Sequence, residues 1–256
     1  MKLFDSHNHI QDERLFPEVE KVLKRAHLAG VERMAIKGCS EADWPKVEEL
    51  INRHRGIHAA FGLHPWFIKE RSGQCFQTLE RLLTAYPQAS VGEIGIDHAI
   101  EKRDDADQEA VFLTQLEMAR KFDRPASIHC RRAWGRLIEL LDRFGKLPRG
   151  ILIHCFGGSA EVATELVKRG AYISFSGSIT RPQAKKAAAA IRAVPADRIL
   201  IETDALDILP QNASPGFNEP ANLRWVLAKA AELRGVSEEW LAEQTFRNAE
   251  RFFFFP

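Results

Sequence analysis

No stretch of this 256-residue chain approaches the roughly 18 to 20 consecutive apolar residues of a membrane-spanning helix. Cysteine is scarce: Cys39, Cys75, Cys130 and Cys155 form no C-x-x-C pair and lack the density of a disulfide scaffold, which points to a reducing compartment. An excess of either charge is also missing. Lys and Arg total 36 against 35 Asp and Glu, a net of +1, so any nucleic-acid contact must come from a local patch and not from a general positive field. The first residues hold no signal-peptide pattern, because Asp5 precedes any apolar run of useful length, and the expected location is the cytoplasm. No G-x-G-x-x-G follows any expected strand, which removes the commonest cue for a dinucleotide-binding sheet. Repeats, low-complexity tracts and interdomain linkers are absent too, so residues 1–256 read as one domain.

What is present is an alternation. Apolar residues make up 45% and charged residues 28%, as in an ordinary globular protein with a large core. Period and punctuation predict strands at Lys2–Asp5, Val31–Ile36, Ile57–Gly62, Ser90–Ile96, Ala126–Cys130, Ile151–Phe156, Tyr172–Ser176 and Ile199–Thr203. Between them fall helices from Pro17 to about Ala29, closed by Gly30, and from Glu41 to His54, capped by Ser40. Further helices are expected at Cys75–Ala85, Asp105–Phe122, Ala133–Phe144, Ala160–Lys168, Pro182–Val194, Ala221–Leu233 and from Ser237 to about Phe253. Eight strand–helix units in about 250 residues match the count and length of an α/β (β/α)8 TIM barrel, with an open doubly wound sheet as the competing arrangement. The irregular stretch Leu206–Glu219, with Pro210, Pro215 and Gly216, follows the eighth strand and could wall a site. The terminal "RFFFFP" reads as an apolar helix end packed on the barrel.

Barrel sites are built at the C-terminal ends of the strands. His7 and His9 leave the first strand, and residues i and i+2 project to one side. Glu93 lies in the second half of the fourth strand, His129 ends the fifth, His154 the sixth and Asp204 the eighth. Four histidines and two carboxylates on one edge are more than a single zinc needs, and they suit two divalent ions sharing a carboxylate. Metal-assisted hydrolysis is the reaction class that follows, and Asp204 is the candidate base. A structural metal site is the alternative, though it would close its coordination sphere with fewer ligands. By the same period of two, Cys130 and Cys155 should turn away from His129 and His154 and pack outward, while Glu202 and Asp97 should stand behind the ligands as acceptors.

With these residues assembled, the chain resembles the TatD family of metal-dependent hydrolases among the amidohydrolase-like barrels. The matches are "FDSHNHI", "GLHP" (Gly62–Pro65), "VGEIGID" (Val91–Asp97), "IHCR" (Ile128–Arg131), "HCFGG" (His154–Gly158), "SFSGSIT" (Ser174–Thr180), "LIETDA" (Leu200–Ala205) and "NEPANL" (Asn218–Leu223). The resemblance implies one ion held by His7, His9 and Asp204, another by His129 and His154, and Glu93 between them. It also implies a deoxyribonuclease, exonuclease-like in some members. The chain departs from the family's usual pattern at Cys130 and Arg132, which flank Arg131, and at His98 and Leu206, all near the mouth and none a proposed ligand.

Arg131 and His64 are the candidate phosphate-binding residues, since both follow strand exits and a guanidinium fork fits phosphate oxygens. Trp66 and Phe67 could stack on a nucleobase or pack on the rim. Asn218 and Glu219 could cap a helix or meet substrate. Three readings of function remain at this level: a two-metal phosphodiesterase acting on DNA, a hydrolase of amide, ester or cyclic C–N bonds on the same metal pair, and a binding protein that keeps the metal as scaffold. Imidazole ligands favour zinc or manganese, whereas magnesium is the abundant nuclease ion.

Overall fold

The computed structural model describes residues 1–214 and 216–254. Eight parallel strands run in chain order as one sheet: β1 (Leu3–Asn8), β2 (Val31–Gly38), β3 (Ile57–Phe61), β4 (Ser90–Asp97), β5 (Ala126–Arg131), β6 (Ile151–Ile153), β7 (Ala171–Phe175) and β8 (Ile199–Ile201). The eighth meets the first beyond its own end. Asp204 N donates to His7 O at 2.9 Å, His9 N to Ala205 O at 2.8 Å, and Thr203 N to the Asp5 carboxylate at 2.9 Å. The barrel closes, and the doubly wound alternative falls.

Helices α1 (Val19–Leu28), α2 (Trp44–Arg53), α3 (Cys75–Ala85), α4 (Asp105–Lys121), α5 (Trp134–Phe144), α6 (Ala160–Lys168), α7 (Lys185–Ala193) and α8 (Leu223–Arg234) follow the strands, and α9 (Glu238–Phe253) ends the chain. None is long and apolar enough to cross a membrane. Ser159 and Ser237 each accept from the backbone amide three residues on, capping α6 and α9. Ser40 does not cap α2. That helix starts later, at Trp44, because the Asp43 carboxylate turns back to accept from the Cys39 and Ser40 amides at 3.0 Å. Strands β6 and β8 are also shorter than their apolar runs, since the chain leaves the ladder just where it must present His154 and Asp204.

Most of the core lies between strands and helices, but a second apolar layer fills the barrel floor. There Phe4, Ala35, Leu152, Tyr172 and Leu200 meet Phe252 and Phe253 of α9, and the rings of Phe4 and Phe253 stack with centroids 5.3 Å apart. The "RFFF" run therefore plugs the bottom of the barrel; the last two residues, Phe255 and Pro256, lie outside the described residues, as does Pro215.

Two irregularities in the ladder aim the future site. In β1, Leu3 packs outward and Phe4 inward, so strict alternation would turn His7 away from the axis. In β4, Val91 packs outward, and alternation would send Glu93 after it. Register shifts fall between Asp5 and Asn8 in β1 and between Val91 and Ile94 in β4. Each bulge moves its strand out of phase, and both His7 and Glu93 point into the mouth. Beyond the second shift, glycine lets the two strands approach closely. A Cβ on Gly95 would sit 2.0 Å from the His129 carbonyl oxygen, so only a bare backbone lets β4 lie this close to β5 there.

Candidate metal centre

Glu93 is the hub of the mouth. Its Oε2 faces His7 Nε2 at 3.2 Å and His9 Nε2 at 3.4 Å. Its Oε1 faces His154 Nε2 at 2.8 Å, His129 Nδ1 at 3.1 Å and His64 Nε2 at 3.2 Å. Asp204 Oδ1 approaches the first set, 3.9 Å from His7 Nε2 and 3.7 Å from His9 Nε2. All six residues expected as ligands therefore converge at one end of the barrel. Asp204 reaches its place with φ of 51°, a left-handed conformation that the loop after β8 imposes.

The outer partners show which ring atom each histidine can offer a cation. A carbonyl or carboxylate only accepts, so the nitrogen facing it carries the proton. His9 Nδ1 faces Lys37 O at 3.0 Å and His129 Nε2 faces Asp97 Oδ2 at 3.2 Å; His154 Nδ1 lies 3.5 Å from Glu202 Oε1, an ion-pair distance without a hydrogen bond among the described residues. In each case the opposite nitrogen points to Glu93. Asp97 thus stands behind His129, whereas Glu202 lies beside His154 in a group with His7 that could itself hold a cation. His64 differs: its Nδ1 accepts from Trp66 N at 3.2 Å, so its Nε2 donates to Glu93 and steadies that carboxylate. His64 is buried inside the cluster and not free on the rim.

Of the two cysteines expected to turn outward, one does. Cys130 packs outward in the core, as alternation requires. Cys155 does not: β6 has already ended, φ is 43°, and Sγ lies 3.0 Å from Ser176 Oγ at the mouth. Cys39, which follows β2, places Sγ 3.6 Å from Glu93 Oε2 and sits within ligand reach of His9 and Glu93. Its position after a strand exit was the only available signal. The Asn218 side chain donates to Thr203 O and Ile208 O at 2.7 and 3.1 Å, and Glu219 pairs with Arg25 at 2.8 Å, so both brace the loop after β8.

The electrostatics are those of a cation site with protons in place of the cation. Burial opposes a charge on Glu93, but His154, His64 and His7 around it hold its carboxyl well below the usual range. Burial opposes the charge on His9 and His154 as well, yet Glu93 and its neighbouring carboxylates raise them to about 9 and about 10. His7, buried and close to His154, is driven well below its ordinary value. Burial raises Asp204. Imidazole nitrogens and carboxylate oxygens converge on shared points with backing acceptors behind them, and this donor set fits divalent cations such as zinc or manganese.

A closed (β/α)8 barrel carrying such a cluster at its C-terminal mouth is the architecture of the metal-dependent barrel hydrolases. Residues 4–254 match the family model of TatD related DNase, and the chain belongs to that family. An uncharacterized metal-dependent hydrolase of Bacillus subtilis, YabD, is 33% identical over 98% of both chains. The 3′-5′ ssDNA/RNA exonuclease TatD of Cronobacter sakazakii is 32% identical over 98% of this chain and 97% of its own. Among solved structures, that of the TatD homolog YjjV from Escherichia coli K12 superposes with a TM-score of 0.94 at 30% identity, covering 99% of this chain and 98% of that one. The protein is accordingly a metal-dependent hydrolase.

Proposed function

We propose that this hydrolase is a two-metal phosphodiesterase that removes nucleotides from an end of single-stranded DNA or RNA in the cytoplasm, with residues 1–256 acting as one domain. The observation that carries the reading is the division of Glu93, one oxygen toward His7 and His9, the other toward His129 and His154. His7, His9 and Asp204 would hold one ion, His129 and His154 the other, and Glu93 both. When bound, the ions supply positive charge that acidifies water and neutralises phosphate oxygens. The remaining work falls to the chain. Asp204, partly open to solvent, takes the proton of the attacking water, and its neighbour Thr203 is held by Asp5 so that the loop cannot drift. Arg131 is exposed at the end of β5 and binds the phosphate that flanks the scissile one. His64 holds Glu93 in line through its Nε2.

The test is metal analysis of the purified protein together with digestion of 5′- and 3′-labelled single-stranded oligonucleotides in Mg²⁺, Mn²⁺ or Zn²⁺. About two ions per chain and progressive loss of the 3′ label are expected. Hydrolysis of chromogenic amides or esters with no cleavage of either oligonucleotide would replace this reading by the amidohydrolase one.

A further inference from the structure

Trp66 is an exposed tryptophan, 53% accessible, yet it is not a loose one. Its Nε1 donates to Asp97 Oδ2 at 2.8 Å, and its ring stands nearly perpendicular, at 89°, to that of His64. These contacts fix the indole in place while leaving more than half of the residue open to solvent. The exposed indole borders a hollow of about 310 Å³ lined by Trp66, Asp97, Ala99, Ile100 and Arg131. The Asp97 carboxylate in that lining is already occupied: Oδ1 accepts from Ala99 N at 2.7 Å, while Oδ2 accepts from Trp66 and His129. Arg131, by contrast, has no ion-pair or hydrogen-bond partner for its guanidinium among the described residues. The hollow thus offers a rigid aromatic plane, two apolar side chains and one free cation. It also adjoins the metal centre directly, because Asp97 touches both Trp66 and the proposed ligand His129.

We propose that Trp66, Ala99, Ile100 and Arg131 form a nucleobase subsite, in which one unpaired base of the substrate lies on the exposed indole of Trp66 while Arg131 holds the adjoining phosphate. The proposal rests on the phosphodiesterase reading and gives the substrate's base a place on the chain. Every base has a π-face, so stacking here is tolerant of sequence. A base inside a duplex has both faces covered by its neighbours and cannot occupy the plane, so the subsite selects single strands. Because the indole is fixed by Asp97 before substrate arrives, little ordering is left to be done on binding.

The experiment compares two single-stranded oligonucleotides, one ordinary and one with abasic tetrahydrofuran units at its terminal positions, in the wild type, Trp66→Ala and Trp66→Phe. With the ordinary strand, Trp66→Ala should raise KM by on the order of 10-fold, as loss of one stacked base does, with kcat within about 3-fold. Trp66→Phe should recover part of that loss. With the abasic strand, wild type and Trp66→Ala should have the same KM. An unchanged KM for the ordinary strand, or an equal change for both strands, would overturn the subsite; an equal fall in kcat on both would mean that Trp66 acts only through Asp97 and His129. Fluorescence anisotropy of the same labelled strands in Ca²⁺ separates this proposal from the reading beneath it. If the metal-loaded wild type cleaves neither strand but Trp66→Ala still weakens binding of the ordinary strand alone, the nuclease reading falls and the subsite stands. If neither cleavage nor base-dependent binding is seen, both fall.

Discussion

His129 and Asp97 are joined across neighbouring strands, the imidazole Nε2 lying 3.2 Å from Oδ2 of a carboxylate that belongs to β4. Burial alone would raise the Asp97 carboxyl, but hydrogen bonds from His129 and Trp66 hold it well below the ordinary carboxylate range. Such a partner fixes the tautomer that presents Nδ1 to a cation. Asp97→Asn keeps the shape but can turn its amide NH2 toward His129, which removes that bias. Metal affinity should fall by about 10- to 100-fold, the usual cost of a lost partner behind a ligand. Equilibrium dialysis against Zn²⁺ or Mn²⁺ checks this, and unchanged affinity would show that packing alone orients His129.

Asp204→Asn should lower kcat by at least about 100-fold, because the amide retains a coordinating oxygen but cannot take the water's proton. The barrel should persist, since Asp204 N donates to His7 O through the backbone whatever the side chain. At least the ion assigned to Glu93, His129 and His154 should remain bound. Turnover beside metal content in the purified variant decides the matter, and near-normal kcat with both ions present would remove the base assignment.

Metal uptake should release protons. In the metal-free protein His9 and His154 titrate at about 9 and about 10, so both carry a proton at pH 7 that a cation must displace. Apparent affinity should therefore rise with pH and level off above about 10. The folding linkage has the opposite sign for the metal-free protein. With folded values above the ordinary histidine value of about 6.5, this pair contributes stability that is fully present below 6.5 and is lost as pH rises through about 9 to 10. Calorimetry of Zn²⁺ binding at pH 7, in two buffers of different ionisation enthalpy, should show release approaching two protons.

Lys37 supplies the remaining prediction. It is wholly buried, its Nζ has no hydrogen-bond partner among the described residues, and it lies 4.4 Å from the Phe253 ring centroid. Burial drives its ammonium down to about 7, against the attraction of Glu202, Glu93 and Asp5. With a folded value below the ordinary one, the unfolded chain binds the extra proton between about pH 7 and 10.4, so this group alone favours folding as pH rises. Lys37→Met fills the same space without a buried charge, and at pH 7 Tm should rise by about 2–4 °C, the shift given by roughly 1 kcal/mol in a domain of this size. A fall in Tm would show that Lys37 neutralises the carboxylates of the barrel interior.

Much of this protein was determined by its sequence alone. Local period and turn chemistry set the eight strand–helix units, and the crowding of His7, His9, Glu93, His129, His154 and Asp204 at strand exits located the centre, because a parallel barrel puts every such exit on one rim. Tertiary structure decided the rest. Alternation by itself points His7 and Glu93 away from the axis; the bulges that turn them inward depend on pairing with β2 and β5, which no single strand encodes. The same holds for Cys155, which faces the mouth because its strand ends two residues earlier, and for His64, whose tautomer is set by a backbone amide from the following turn. Residue type and order carry the ligand inventory, whereas the direction in which each ligand points is settled only when neighbouring backbones compete for the same hydrogen bonds.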